Sequence, residues 1–189
     1  YFNTQKNILF NNLLKGKRGI IFGALNDMSI AWKVAERAHE EGATFTLTNA
    51  PIAMRMGAIN DLAEKTNSEV IPADATSVED LKHLFEKSQE ILGGKVDFVL
   101  HSIGMSPNVR KKKPYTGLNY EWYKQTLDVS AMSLHKTLQV AYDMDALNNW
   151  GSVLALTYIA AQRIFPDYND MADAKSLLES ITRSFGYHY

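Results

Sequence analysis

Apolar positions along this chain fall into two alternating rhythms. Residues 17–22 (KRGIIF) end in a short continuous apolar run of strand length, and Ile30, Ala31, Val34, Ala35 and Ala38 then recur at helical spacing until Gly42. The rhythm repeats. It predicts a strand at 44–48, a helical segment to about Lys65, a short strand at 69–71, a helix over 77–92 and a strand at 96–101. Thr76-Ser77-Val78-Glu79 has the form of a capping box and marks where the helix before the fourth strand starts. A polar loop over 107–117 interrupts the pattern. Leu127, Ala131, Leu134, Leu138 and Ala141 then predict one long helix from about Tyr120 to Met144. A strand over 151–156 comes next, and Met171, Ala174, Leu178, Ile181 and Phe185 form the apolar face of a closing helix.

Strands alternating with helices imply a Rossmann-type α/β fold, a doubly wound parallel sheet with helices on both faces. Its ligand site lies outside the carboxyl ends of the strands. A length of 189 residues with 46% hydrophobic content suits one such domain over 13–189, after an Asn-rich extension over 1–12 of uncertain origin. A net charge of −1 removes the electrostatic case for nucleic acid, and the lack of cysteine excludes disulfides and cysteine metal sites. No apolar run is long enough to span a membrane and no signal peptide is visible, so a cytoplasmic protein is expected.

Candidate chemistry gathers at the strand ends. Gly23, after the first strand, can make the tight turn of a dinucleotide site, and Ser29 can cap the following helix and donate to a phosphate. The three-glycine fingerprint is absent, and a plain strand-to-helix turn explains these residues equally well. Asp74 could accept from an adenine amino group beside the Ala75 backbone, or simply cap a turn. His101-Ser102-Ile103-Gly104 would let the backbone approach a ribose. At Thr48-Asn49-Ala50 the acid that holds the ribose of NAD is missing, and Arg55 is near enough in sequence to meet a 2′-phosphate. The basic run over 110–113 reads as a solvated loop or as an attraction for an acidic partner. No histidine has metal-ligand spacing and no nucleophilic serine signature is present.

The stretch 157–175 (TYIAAQRIFPDYNDMADAK) carries Tyr158, Tyr168 and Lys175. At 100° per residue Tyr168 and Lys175 are expected to lie about 20° apart on the closing helix, along one edge of its packed face. Tyr158 would reach the same cleft from the strand.

Taken together, GKRGIIFG, SIA at 29–31, Asp74, HSIG at 101–104, and Tyr158 with Tyr168-x6-Lys175 resemble the bacterial enoyl-acyl-carrier-protein reductases, a divergent branch of the short-chain dehydrogenases. Ordinary short-chain dehydrogenases separate their tyrosine and lysine by three residues, whereas residues 162 and 172, four after each tyrosine, are Gln and Ala. The resemblance spans about Asn12 to Tyr189. It implies reduction of the C2=C3 bond of trans-2-enoyl thioesters by hydride from NADH, with NADPH still open, on an acyl carrier protein in fatty acid synthesis. It further implies cofactor contacts at Gly23, Ser29, Ile30, Asp74, Ala75, Ile103 and Lys175, and a substrate-side position at Ser106. Tyr168 resembles the residue that stabilises the enolate, and Lys175, its charge expected to favour the ionised phenol, the one that grips the ribose. Tyr158 resembles a second active-site tyrosine of open role. The family is typically homotetrameric, and the 120–144 helix is the candidate interface.

The family continues through further strands and a mobile helical cover that this sequence lacks. A sheet ending at five strands is expected to expose an apolar edge, and these residues alone to aggregate and to show little turnover. The alternatives are a carbonyl or enone reductase using the same tyrosine, or an inactive nucleotide-binding fragment.

Overall fold

The computed structural model describes residues 11–55 and 57–189, so most of the expected N-terminal extension lies outside the described residues. Strands β1 (Arg18–Phe22), β2 (Thr44–Thr48), β3 (Glu69–Val70), β4 (Val96–His101) and β5 (Leu147–Ala155) form one parallel sheet in the order β3-β2-β1-β4-β5. The chain winds outward from β1 to β3, then crosses back to β4. That reversal opens a crevice at the carboxyl ends of β1 and β4.

Both faces are covered. Ile20 and Ile21 are each fully buried, but Ile20 packs under α4 (Val78–Leu92) while Ile21 packs under α1 (Ile30–Glu40) and α3 (Ala58–Thr66). Successive strand residues point to opposite faces, so a strand covered twice is buried on both. Helices α7 (Ser133–Asp143) and α8 (Asp170–His188) build a third cluster around Leu134, Leu138, Leu178 and Ile181, against Val153 and Ala155 of β5.

Several local details depart from the sequence pattern. The segment before Lys65 is two helices, α2 (Pro51–Met54) and α3, because Gly57 turns left-handed between them at φ 75°. The cap of α4 is one residue further on than expected: the Ser77 hydroxyl accepts from the Asp80 amide at 3.2 Å. Ile30 is 63% exposed and lies off the packed stripe of α1. The 107–117 loop holds a short helix, α5 (Pro107–Arg110), capped by Ser106. Strand β5 begins at Leu147, reaching back through a bulge opposite Val96 and Phe98, with Trp150 at φ 64° and fully exposed.

The long helix is broken in phase. It runs as α6 (Tyr120–Leu127), a π-helical turn at Asp128–Met132, then α7. The wider turn rotates the helix on its far side, so Leu127 is half-buried while Thr126, Ser130, Ser133 and Thr137 are buried. Each of those four hydroxyls reaches a carbonyl, as in Thr137 to Ser133 at 2.7 Å and Ser133 to Val129 at 2.6 Å.

Candidate active site

The crevice is closed at its floor by Gly23. Its amide donates to the Thr48 carbonyl at 3.0 Å, its φ is 89°, and a Cβ there would stand 1.9 Å from the Ser102 carbonyl oxygen. Conformation and space both demand glycine, and the absence of a side chain lets the ends of β1 and β4 meet. Beside it, Gly23, Asn49, Asp74, Ala75, Ile103 and Val129 line one hollow at the strand ends. Small and apolar walls with one carboxylate, at the carboxyl edge of a parallel sheet, suit a dinucleotide. Val129 had no signal in the sequence pattern, since the π-turn alone brings it there.

The remaining expected contacts divide. One Asp74 oxygen accepts from the amide and hydroxyl of Thr76 at 2.9 and 2.8 Å, capping its own turn, while its second oxygen has no partner among the described residues. Ser29 precedes α1, yet its hydroxyl accepts from the Leu25 and Asn26 amides, both at 3.0 Å, rather than from the helix. It braces the loop 25–29. Ser29 and Ile30 do not line the hollow.

Tyr158 and Tyr168 pack ring against ring, with centroids 4.7 Å apart, and Phe165 lies edge-on to Tyr158 at 5.3 Å. Neither tyrosine hydroxyl has a hydrogen-bond partner among the described residues. Tyr168 precedes α8, separated from it by Asn169 at φ 47°, so the 20° helical relation to Lys175 does not apply. A tight turn, not helical phase, sets its direction.

Lys175 is 6% exposed. Its ammonium donates to the Leu156 carbonyl at 2.7 Å and the Ile103 carbonyl at 3.3 Å, bridging the segments that follow β5 and β4. Burial lowers its pKa to about 8. Burial first, and neighbouring Tyr158 second, raise the Tyr168 hydroxyl above its ordinary value. Lys175 is not among those causes, so in the protein alone burial, and not the lysine charge, sets the direction for the Tyr168 phenol.

Ser106 is buried and its hydroxyl donates to Asp170 at 2.7 Å, within the protein. His101 is buried as well, its Nε2 2.9 Å from the Ser133 hydroxyl, and burial followed by the charge of Lys175 lowers its pKa to about 3. The basic residues 110–113 are exposed, and the Asn169 side-chain amide donates to the Lys113 carbonyl. Among the described residues no carboxylate and histidine group is arranged to hold a metal, and no helix is long and apolar enough to cross a membrane.

Comparison with known proteins bears on this geometry. The family model described as enoyl-(acyl carrier protein) reductase matches residues 23–189. Enoyl-[acyl-carrier-protein] reductase [NADH] 2 of Rhizobium meliloti (strain 1021) is 31% identical over 95% of this chain and 66% of its own length. The Aquifex aeolicus (strain VF5) enzyme of the same name, FabI, is 33% identical over 93% and 64%. The chain thus spans a little under two thirds of the curated relatives it matches. Among solved structures, FabI of Alistipes finegoldii superimposes with a TM-score of 0.93 at 66% identity, covering 94% of this chain and 68% of that one. The FabI–NADH complex of the same organism gives the same TM-score and identity, over 63% of its chain. With the family match covering most of the chain and the relatives carrying the same five-stranded core, this chain belongs to the enoyl-(acyl carrier protein) reductase family.

Proposed function

We propose that the full-length protein reduces the C2=C3 double bond of trans-2-enoyl thioesters carried on acyl carrier protein, using NADH, in fatty acid biosynthesis. The observation that carries this reading is the junction of two half-sites. Lys175 bonds the carbonyl of Ile103, a residue that lines the hollow at the strand ends, and the helix bearing Lys175 is entered through the turn after Tyr168, whose ring packs on Tyr158. The bracketed cofactor in the relatives' names and the NADH complex of the Alistipes finegoldii protein support the choice of NADH.

Bound reduced nicotinamide supplies hydride for C3 of the substrate. The Tyr168 phenol would be the donor to the thioester oxygen, where negative charge develops in the enolate; C2 of that enolate then takes a proton, completing the addition of hydride and proton across C2=C3. A fixed donor binds that charge more strongly than it binds the neutral carbonyl, and so lowers the barrier. Packing by Tyr158 holds the Tyr168 ring in one orientation. The Lys175 ammonium has three N–H donors and uses two on carbonyls, leaving the third for the ribose hydroxyls. Gly23 admits the pyrophosphate, the Ser29 hydroxyl and the Ile30 amide at the start of α1 offer it donors, and the free Asp74 oxygen with the Ala75 backbone receives the adenine. Residues 13–189 act as the dinucleotide-binding domain of a homotetramer.

The test uses the full-length protein with NADH, NADPH and crotonyl thioester. Tyr168→Phe is expected to lower kcat by about 10²-fold, the effect of losing one oxyanion donor, with NADH affinity nearly unchanged. Unchanged kcat in that variant, or equal turnover of simple ketones, would overturn the reading. The 189-residue chain alone is expected to show little turnover.

A further inference from the structure

We propose that Asp170, a buried carboxylate that touches neither hollow nor tyrosine ring, is a positioning residue for this site; the proposal rests on the reductase reading above. Asp170 is the first residue of α8 and is 0% exposed. One oxygen accepts from the Ser106 hydroxyl at 2.7 Å. The other accepts from the Asn108 side-chain amide at 2.9 Å and from the Thr126 hydroxyl at 2.8 Å, whose single proton is shared with the Trp122 carbonyl. No cation pairs with it among the described residues. Its charge is supported by donors and by the amino end of α8, where the helix dipole favours a negative group.

The donors come from different parts of the chain, which is what makes the carboxylate a gauge of distance. Ser106 also caps α5, accepting from the Val109 amide at 3.0 Å. Asn108 is fully buried and exchanges hydrogen bonds with the Asn119 backbone at 3.0 and 3.1 Å, fixing the start of α6. Thr126 lies at the far end of α6. One carboxylate therefore locks α5 and both ends of α6 to the head of α8.

That lock bears on the reacting groups through chain continuity. Tyr168 precedes Asp170 by two residues and Lys175 follows it by five, while Ser106 follows Ile103 and Gly104, the backbone that Lys175 grips. The space between is tight, since a Cβ on Gly104 would stand 3.1 Å from the Met171 side chain and 3.8 Å from the Lys175 nitrogen. Asp170 holds the loop 103–106 against α8 at one end and Lys175 holds it at the other. Releasing the first changes how the second meets the cofactor site. Sub-ångström displacement of reacting groups is costly to turnover even when the fold survives.

The experiment uses the full-length protein. Asp170→Asn keeps the shape but turns one acceptor into a donor facing donors, and Thr126→Val removes one of the three hydrogen bonds while leaving the carboxylate. Melting temperature, NADH affinity by fluorescence, and kcat and KM for an enoyl thioester are measured well below the melting transition. Asp170→Asn is expected to lower kcat about tenfold and weaken NADH severalfold while folded, with Thr126→Val intermediate and KM changed little. Wild-type kcat and NADH affinity in folded Asp170→Asn, or losses that track only the unfolded fraction, would overturn the proposal. If Asp170→Asn does not fold, wild-type values in Thr126→Val would overturn it. Should the wild type bind NADH but fail to reduce enoyl thioesters, the function proposed above fails, while the NADH-affinity arm still decides the role of Asp170.

Discussion

The segment around the start of α8 carries two polar groupings that differ in how well they are satisfied. Asp170, Ser106, Asn108 and Thr126 are buried and answer one another, each donor with an acceptor. Tyr158 and Tyr168 pack their rings but leave both hydroxyls without partners among the described residues, and Lys175 keeps one donor spare beside carbonyls that cannot neutralise it. Water-excluded polar groups cost free energy when unmatched, so a satisfied cluster reads as scaffold. The tyrosine hydroxyls are not buried and unmatched in that sense: water reaches them, and a ligand can take its place. The contrast predicts that variants in the two groupings part company: the first should couple stability to function, the second should trade one against the other.

The largest effect that would sharpen this contrast is expected from Lys175→Met. Burial depresses the pKa of Lys175 to about 8, below its unfolded value near 10.5, so the fold carries a penalty that is in full force below about pH 8 and is relieved as pH rises towards 10.5. Methionine removes the charge at similar volume. In the full-length protein, kcat should fall by about 10²-fold, while chemical denaturation at pH 7 should give equal or greater stability, by up to about 3 kcal/mol. Lowered stability together with lowered kcat would place Lys175 with the scaffold and break the comparison.

A smaller effect concerns His101, which lies between the groupings and is buried uncharged. Its pKa falls to about 3 from 6.5, because burial and then Lys175 oppose its protonation. The unfolded chain takes up that proton as pH drops below 6.5 while the folded one does not until about 3, so stability falls through this window by about 1.4 kcal/mol per pH unit from this residue. Urea titrations of His101→Gln between pH 6.5 and 4 should show a correspondingly flatter acid limb. An unaltered slope would mean that His101 is not the group responsible.

The smallest is Ser130→Ala. The Ser130 hydroxyl accepts from the Met105 amide at 2.9 Å and donates to the Met105 carbonyl at 3.0 Å, tying the π-turn to the loop that follows β4. Its removal should cost about 1–2 kcal/mol of stability in denaturant titration. If Ser130 belongs with the Asp170 cluster as scaffold, kcat should fall as well, by a few-fold; stability lost with kcat intact would confine the functional coupling to Asp170.

A second contrast within the sheet explains what was legible from the chain. Strands β1, β2 and β4 lie in the middle of the sheet with both faces covered, and the IIF, FTLT and FVL stretches, rich in β-branched and aromatic residues, announced them. Strand β5 is an edge with exposed positions throughout, including Leu154 at 61%, and its first half, LNNW, gave no strand pattern because only Leu147 of the four is an apolar residue packed on the core. Periodicity reports burial, so it is silent where burial is partial. The same limit hid Thr126, Ser130 and Asp170, whose polarity spoke for the surface until partners far along the chain were seen to meet them.

Local pattern alone determined the alternation of strands and helices and the tyrosine and lysine spacing by which the chain resembles its family. Those follow from steric limits and short-range periodicity, which are written into neighbouring residues. The turn at Asn169 sets Tyr168 before α8 and not on it. Tertiary structure alone decided that burial raises the Tyr168 phenol, that the Ser106 hydroxyl turns inward, and that a buried carboxylate joins α5, α6 and α8. Desolvation sets the first, and hydrogen bonding between segments more than forty residues apart sets the other two, so no stretch of the sequence carries them by itself.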